Sequence, residues 1–344
     1  MNTGDVETRV PNGEIARADE QARGGVRLRR VLGMLLLFVL VYAGFAVYGD
    51  VRKIKVGLER FEWWTFGAAF ALAFGNYVLR FFKWQFYLSR LSVRGVGVVD
   101  SFLTFVSGFV LTISPGKVGE VFKSLVLFET HGVPMPKTAP IVVAERITDL
   151  IGVIVLIVLG SLGFHGGFLP AAVGTALVGT LLAIIASRTA SFAVIRLITK
   201  LPGPFRKLGS KLEEAYESLT ILVAPRNLLV PTLLSIAAWS LECMALAVIL
   251  HGFGEHVPLP LSVFFYATST LAGAVIPTPG GLGVTETGLR SQMIEIAHID
   301  PAASTAAMML VRLATLWFAV VVGFAGLGIL KRRYPALLGG KKKD

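Results

Sequence analysis

The chain has 344 residues, of which 54% are hydrophobic and 16% are charged, and its formal net charge is +11. A mean hydropathy of +0.70 excludes an ordinary soluble domain, because so few charged side chains could not cover a water-exposed surface. The one cysteine, Cys243, excludes an internal disulfide and is predicted to be a buried small side chain. The basic residues lie mostly in loops between apolar runs, which favours membrane topology and attraction to anionic lipids over nucleic-acid binding.

The apolar runs predict a membrane domain over residues 31–330, between two cytoplasmic tails. Residues 1–30 are polar and mixed in charge, unlike a signal peptide, and are predicted to be disordered; residues 331–344 are basic. A span needs roughly 20 apolar residues to cross a hydrocarbon core about 30 Å thick. Runs of that kind occur at 31–48, 64–82, 139–163, 170–187, 229–250 and 303–330.

Two further apolar stretches are too short to cross and are each interrupted by a Pro-Gly turn. The first has arms at 98–113 and 118–128, and the second has arms at 260–276 and 282–296. Proline blocks helix continuation and glycine permits a tight reversal, so both stretches are predicted to be re-entrant hairpins. The predicted fold is therefore an all-α polytopic protein with about six full transmembrane helices plus two re-entrant helical hairpins. The predicted hinge residues are Pro115, Gly116, Gly119, Pro279, Gly280, Gly281 and Gly283.

Loop charges orient this arrangement. The linker 188–228 is basic, whereas 164–169, 251–259 and 297–302 contain no lysine or arginine. With both termini cytoplasmic, every basic loop except 49–62 lies inside, as the positive-inside rule expects.

The two hairpins carry variants of one phrase. Ser-Pro-Gly-Lys-Val-Gly-Glu ends at Glu120, and Thr-Pro-Gly-Gly-Leu-Gly-Val-Thr-Glu ends at Glu286. An arginine follows each phrase early in the next span, at Arg146 and at Arg312. Because the predicted topology makes the hairpins enter from opposite sides, the half-repeats of about 64–163 and 229–330 form an inverted repeat, as in many transporters.

Several ionisable side chains are predicted to lie at membrane depth, where a charge exposed to lipid is costly. One interpretation is that they only pair as structural glue, with Glu145 or Asp149 beside Arg146, and Glu286 beside Arg290 at i,i+4. The other is that basic residues and helix ends at the hairpin tips line a cavity for an anion such as a phosphate head group. The candidate substrate-binding residues are Lys117, Arg146, Arg312, Arg80 and Asn76. The candidate charge-partner or proton-coupling residues are Glu120, Lys123, Glu145, Asp149, Glu286 and Arg290.

Enzyme signatures are weak. The sequence has no glycine-rich loop followed by Lys-Ser/Thr, and its five histidines lie in or near loops without metal-ligand spacing on a helix. The chain is therefore predicted not to be an enzyme and to use no cofactor and no metal.

The hairpin phrases, together with Ala-Glu-Arg at Arg146, Asp149 and Asn-Tyr-Val-Leu-Arg at Arg80, resemble the lysylphosphatidylglycerol synthase transmembrane-domain family. The resemblance covers about residues 31–330 and marks the chain as a stand-alone, flippase-like member without the synthase domain. It departs from the family pattern at Lys83, where an arginine is more usual.

The resemblance implies a translocase of an anionic or phosphate-bearing lipid in a bacterial inner membrane. Its implied partners are membrane lipids, anionic or of polyprenyl or hopanoid type, and no nucleic acid. A homodimer or a separate lipid-synthesising enzyme remains open as a protein partner. Two alternatives also stay open at this point: a membrane-embedded transferase acting on a lipid phosphate, and a non-catalytic partner of a separate synthase.

Overall fold

The computed structural model describes residues 57–114, 118–163, 209–276 and 278–338, with Lys55 and isolated positions between 172 and 187. The predicted N-terminal tail and the predicted span at 31–48 lie outside the described residues, and so does nearly all of the predicted span at 170–187. The same holds for three predicted tip residues, Pro115, Gly116 and Lys117.

The described residues form helices joined by short loops. The first hairpin consists of α2, which continues as a 3₁₀ turn at Gly108–Leu111, and of α3, which a 3₁₀ turn at Val118–Val121 precedes. The second hairpin consists of α8 and α9, and a π-helical turn at Leu313–Trp317 joins α10 to α11. The helices are α1 (Trp63–Arg90), α2 (Val98–Ser107), α3 (Phe122–His131), α4 (Met135–Thr138), α5 (Pro140–Gly160), α6 (Gly209–Leu222), α7 (Pro225–Gly252), α8 (Leu259–Val275), α9 (Val284–Glu295), α10 (Pro301–Arg312) and α11 (Phe318–Arg333).

Local sequence signals set several helix ends. Proline occupies the first turn of α5, α7, α8 and α10, where its missing N–H costs no hydrogen bond. Asp300 caps α10, and its carboxylate accepts from the backbone nitrogens of Ala302 at 2.8 Å and Ala303 at 3.2 Å. Gly132 ends α3 in the left-handed conformation that glycine adopts without strain.

The prediction of an all-α fold with several apolar helices is confirmed for the part of the chain that the structure describes. Among the described residues, three helical segments are long and apolar enough to cross a membrane, and they match three predicted spans: Trp63–Arg90, Pro225–Gly252 and Pro301–Arg333. The fourth match, α5, has 21 residues but carries Glu145, Arg146 and Asp149. The two predicted hairpins form as helix pairs, whereas the span count and the re-entrant character stay predictions.

Glycines allow these helices to approach closely. A Cβ atom at Gly160 of α5 would lie 2.8 Å from the backbone nitrogen of Phe264 in α8. A Cβ atom at Gly323 of α11 would lie 2.7 Å from the backbone nitrogen of Val110 in the first hairpin. Helix α11 therefore packs directly against the backbone of the first hairpin.

The loops gather at two ends of the helix bundle. At one end, the rings of Phe61 and Phe253 lie with centroids 4.6 Å apart, just before α1 and just after α7. At the other end, Asp100 of the first hairpin pairs with Arg333 at 3.0 Å and accepts from the Tyr334 hydroxyl at 2.8 Å. The hydrogen bond to Asp100 raises the pKa of Tyr334, because ionisation would place a second negative charge beside the carboxylate.

The loops found together at each end of the bundle are ones predicted to lie on the same side of the membrane. A labelling experiment tests which end faces the cytoplasm. Arg94 lies in the exposed loop before α2, and His256 lies exposed in the loop after α7. In a Cys243→Ser background, we expect a membrane-impermeant maleimide to label His256→Cys in sealed cells and Arg94→Cys only after permeabilisation. The reverse pattern would invert the topology, and equal labelling of both sites in sealed cells would contradict it.

A glycine substitution tests whether α11 packs closely against the first hairpin. Gly323→Ala places a methyl group against the backbone of the first hairpin, and overpacking of this kind costs about 1–3 kcal/mol. We therefore expect a lower melting temperature in detergent, followed by tryptophan fluorescence. Gly328→Ala in the same helix meets no atom within 4 Å and is the matched control, with an unchanged or slightly raised melting temperature. Equal effects of the two variants would show that α11 does not pack as described.

Candidate functional site

A cavity of about 320 Å³ lies between the tips of the two hairpins. This volume is at the low end of the about 300–1,000 Å³ typical of small-molecule sites, so it suits a head group rather than a whole lipid. Helices α1, α5, α7, α8, α10 and α11 and the π-helical turn also contribute to its wall. The polar residues of the lining include Arg80, Thr112, Ser114, Arg146, Asp149, Glu242, Tyr266, Thr278, Thr285 and Arg312.

The tip of the second hairpin depends on glycine. Gly280, Gly281 and Gly283 have φ values of +64°, +70° and +85°, which side chains disfavour. A Cβ atom at Gly280 would also lie 3.3 Å from the Cα atom of Ile113, so the two hairpin tips touch. Three of the predicted hinge glycines therefore have a backbone reason to be glycine.

Each hairpin is tied to the helix that follows it by an arginine–carboxylate pair. In the first half, Arg146 donates from Nη2 to Glu120 Oε2 at 2.9 Å. In the second half, Arg312 donates from Nε to Glu286 Oε1 at 2.6 Å. In both pairs the arginine lies 26 positions after the glutamate, and this equal separation supports the repeat predicted from the sequence.

Glu286 has a different arginine partner from the one predicted. The i,i+4 pairing with Arg290 is not what the structure records, because Glu286 binds Arg312 while Arg290 donates from Nε to Thr305 Oγ1 at 3.0 Å. Glu286 also accepts from the backbone nitrogen of Gly283 at 2.7 Å. The backbone N–H groups at the start of α9 are expected to bind a ligand, but one of them, at Gly283, already donates to the Glu286 carboxylate.

The π-helical turn begins directly after Arg312. A π turn shifts the backbone hydrogen-bonding register, and such turns are common at functional sites. The Tyr77 hydroxyl of α1 donates to the carbonyl oxygen of Thr315 in this turn at 2.9 Å. Arg312 itself also donates from Nη2 to the carbonyl oxygen of Gly280 at 3.1 Å, so the arginine joins the last helix to the second tip.

Two lysines neutralise acids beside the cavity. Lys83 donates from Nζ to Asp149 at 2.5 Å and to Ser235 Oγ at 2.8 Å. Lys123 donates to Glu145 at 2.5 Å, and its ammonium lies 4.8 Å from the centroid of the Trp84 ring. Burial of this kind requires pairing, because an isolated charge at this depth is costly.

Arg80 is different. Its side chain is 8% exposed and lines the cavity, and its buried Nε atom has no hydrogen-bond partner among the described residues. The nearest carboxylates are at 3.8 Å, in Glu120, and at 3.7 Å, in Asp149. Arginine has five N–H donors, and buried polar groups are nearly always satisfied. Among the described residues, the Nε atom of Arg146 is likewise buried without a hydrogen bond. The cavity is thus bordered by two arginines that each have a buried N–H donor without an acceptor in this part of the chain.

Glu242 lines the cavity although it is not among the candidate residues chosen from the sequence. It lies within α7, is 8% exposed, and accepts from the Tyr266 hydroxyl of α8 at 2.7 Å. In the sequence, Glu242 is recognisable only as a glutamate inside an otherwise apolar span, because it lies outside both of the repeated hairpin phrases.

The structure brings Arg80, Arg146 and Arg312 to the cavity together with Asp149 and the tip glycines Gly280 and Gly281. It does not place Asn76 in the lining: the Asn76 amide donates to the Ala238 carbonyl at 2.8 Å and joins α1 to α7. The other described candidates outside the lining are Gly119, Glu120, Lys123, Glu145, Pro279, Gly283, Glu286 and Arg290.

Comparison with known proteins agrees with the motifs from which the resemblance was read. The sequence profile described as the lysylphosphatidylglycerol synthase TM region matches residues 30–323. The chain belongs to this family.

Two relatives of the chain are described as UPF0104 membrane proteins. One, from Methanothermobacter thermautotrophicus, is 28% identical over 123 residues, or 36% of each chain. The other, from Pyrococcus horikoshii, is 25% identical over 282 residues, which cover 73% of this chain and 82% of the relative. The chain thus spans about a third of the first relative's length and most of the second's.

Within this lysylphosphatidylglycerol synthase TM region, the buried Lys123–Glu145 pair is expected to be structural. Removing one partner leaves an uncompensated buried charge, which typically costs about 3–5 kcal/mol. We expect Lys123→Met and Glu145→Leu each to lower the melting temperature strongly, and the double variant to recover most of the loss. If the double variant is at least as unstable as the worse single variant, the two side chains do not act as a pair.

Proposed function

We propose that the chain is a flippase-like lipid translocase that moves a phosphate-bearing lipid between the leaflets of a bacterial inner membrane, with both of its termini in the cytoplasm. The observation that carries the proposal is Arg80, a buried arginine on the wall of a cavity between two hairpin tips, whose Nε atom has no hydrogen-bond partner in the described part of the chain. A phosphate group offers the acceptor oxygens that its donors require.

The shape of the site supports a head group as the bound part. The cavity holds about 320 Å³, which leaves no room for acyl chains. Arginine side chains line it from α1, α5 and α10, so a phosphate held there would contact three helices at once. The acyl chains would remain in the surrounding lipid while the head group crosses.

Ligand binding would compete with contacts that hold the tips together. Arg146 is bound to Glu120 of the first hairpin, and Arg312 is bound to Gly280 of the second tip. A phosphate that draws either guanidinium toward itself weakens that tie, and the tips touch at Ile113 and Gly280. Binding would thereby favour separation of the tips, as alternating access requires. The driving force would be an ion gradient or the concentration difference of the lipid itself.

The test is leaflet exchange in sealed liposomes that contain fluorescent phospholipids, with dithionite bleaching the outer leaflet. We expect the wild-type protein to allow bleaching beyond the outer-leaflet fraction, and Arg80→Gln to slow exchange by about tenfold or more, since it removes a buried charge that contacts the ligand. Arg90→Gln, at the exposed end of the same helix, is the matched control and should exchange at the wild-type rate.

Two results would count against the proposal. Bleaching that stays at the outer-leaflet fraction for every phospholipid class tested would remove the translocase function. Equal exchange by wild type and by a folded Arg80→Gln variant would remove Arg80 from the site. Melting temperatures of the variants establish that each protein is folded.

A further inference from the structure

Helices α5 and α8 touch at one end and border the cavity further along. A Cβ atom at Gly160, the last residue of α5, would lie 2.8 Å from both the backbone nitrogen of Phe264 and the carbonyl oxygen of Pro260 in α8. Glycine lets the two backbones meet there, because a side chain would hold them apart. Since the contact joins the end of α5 to the start of α8, the helices run away from it in opposite chain directions.

Beyond this contact, the cavity lies between the two helices. Val153 of α5 and Leu271 of α8 each lie seven residues from the contact, and both line the cavity. Leu150 and Ala274 each lie ten residues from it, and both also line the cavity. Matching positions on two antiparallel helices lie opposite each other. At a rise of 1.5 Å per residue, the helices therefore border a gap that begins about 10 Å from Gly160.

The accessible part of the cavity wall lies in this gap. Most of the described lining residues are buried, whereas Ala274 and Val275, at the end of α8, are exposed. On the α5 side, Leu150 is half-buried, and the side chain of Arg146 is 22% exposed against 8% for Arg80. The cavity thus opens between the middle of α5 and the end of α8, with Arg146 closer to the opening than Arg80.

The opening lies at the depth of lipid tails. Helix α5 has 21 residues, about 30 Å at 1.5 Å per residue, which matches the thickness of a hydrocarbon core. Leu150 is the central residue of this helix. The exposed surface near the opening is apolar, with Val158 and Leu159 on α5 and Ile276 directly after α8. An opening with this depth and these surroundings faces hydrocarbon rather than water.

We propose that the gap between α5 and the end of α8, bounded by Leu150 and Val275, is a lateral portal that holds the hydrocarbon chains of the translocated lipid. The proposal rests on the translocase function and adds the path by which the lipid enters. The head group passes Arg146 at the opening and then reaches Arg80 inside, while the chains stay between the two helices and in contact with the bilayer.

The chemistry of the portal selects its occupant. The cavity of about 320 Å³ holds a head group, so the chains of a bound lipid have to leave it through an opening. Both sides of the portal present apolar side chains, Leu150 and Val153 on one and Ala274 and Val275 on the other. Hydrocarbon removes these side chains from contact with water or polar groups, whereas a water-soluble phosphate would leave them without a partner.

The first experiment narrows the portal. Val275 and Ile276 are neighbours with almost equal exposure, 43% and 46%, but only Val275 lines the cavity. We expect Val275→Trp to slow leaflet exchange at least about tenfold, because the larger ring fills space that the chains need. Ile276→Trp is the matched control and should exchange at the wild-type rate. Soluble glycerol phosphate should raise the melting temperature of wild type and Val275→Trp alike, which shows a folded protein with an intact head-group site.

The second experiment locates the chains in the wild-type protein. A phospholipid with a photoactivatable diazirine on its acyl chain is added to the protein in detergent, and the labelled residues are identified by mass spectrometry. We expect labelling at Leu150, Val153 and Val275 that an excess of unlabelled phospholipid suppresses. Labelling at Leu159, which is exposed on α5 outside the cavity wall, should be weaker and should compete less.

The outcomes separate the two proposals. Equal exchange by wild type and Val275→Trp, equal slowing by both tryptophan variants, or labelling no stronger at the portal than at Leu159 overturns the portal and leaves the translocase function standing. Absence of exchange by wild type for every phospholipid overturns the translocase function. The photolabelling then decides by itself whether the gap binds lipid chains.

Discussion

Glu120 and Glu286 each hold an arginine that lies 26 positions further along the chain, and in both cases the pair joins a hairpin to the helix that follows it. Within a membrane neither partner can turn to bulk water instead, so separating such a pair exposes two charges to a medium that solvates them poorly. The constraint fixes where each hairpin ends relative to its helix. The second tip contacts the first hairpin at Ile113, and the cavity lies beside this contact, with Ser114 and Gly280 in its lining.

The glutamate–arginine pair has different surroundings in the two halves of the repeat. In the first half, Glu120 lies among several cations: Arg146 binds it at 2.9 Å and Arg80 lies 3.8 Å away. In the second half, Glu286 binds Arg312 and the backbone nitrogen of Gly283, and Arg312 in turn binds Gly280. The second half is thus closed by hydrogen bonds within itself, whereas in the described part of the first half the Nε atoms of Arg80 and Arg146 are buried without hydrogen bonds. The donors available to a ligand come mainly from the half that carries more cations.

The sequence was informative wherever a residue type is forced by local geometry or by depth in the membrane. Proline at first turns and glycine at Gly280, Gly281 and Gly283 mark helix ends and a tip, because few other residues adopt those backbone conformations. The repeated phrase led to Glu120, Glu286 and their arginines. Spacing could not say that Glu286 prefers Arg312 to Arg290, since an i,i+4 neighbour and a residue of the next helix compete and only tertiary packing decides. Spacing also could not show that the Asn76 amide donates to the Ala238 carbonyl, because that contact joins two helices far apart in the sequence.

Glu242 shows why charge at membrane depth has to be interpreted as a set. A lone acid in an apolar helix is ambiguous from sequence, because it can be a structural partner, a proton carrier or a ligand contact. The structure places Glu242 on the wall of the cavity, where it accepts from the Tyr266 hydroxyl at 2.7 Å and shares the lining with Arg80, Arg146 and Arg312. A carboxylate in that position attracts the same guanidinium groups that an anionic ligand would bind, so the charge of the site depends on all four side chains together.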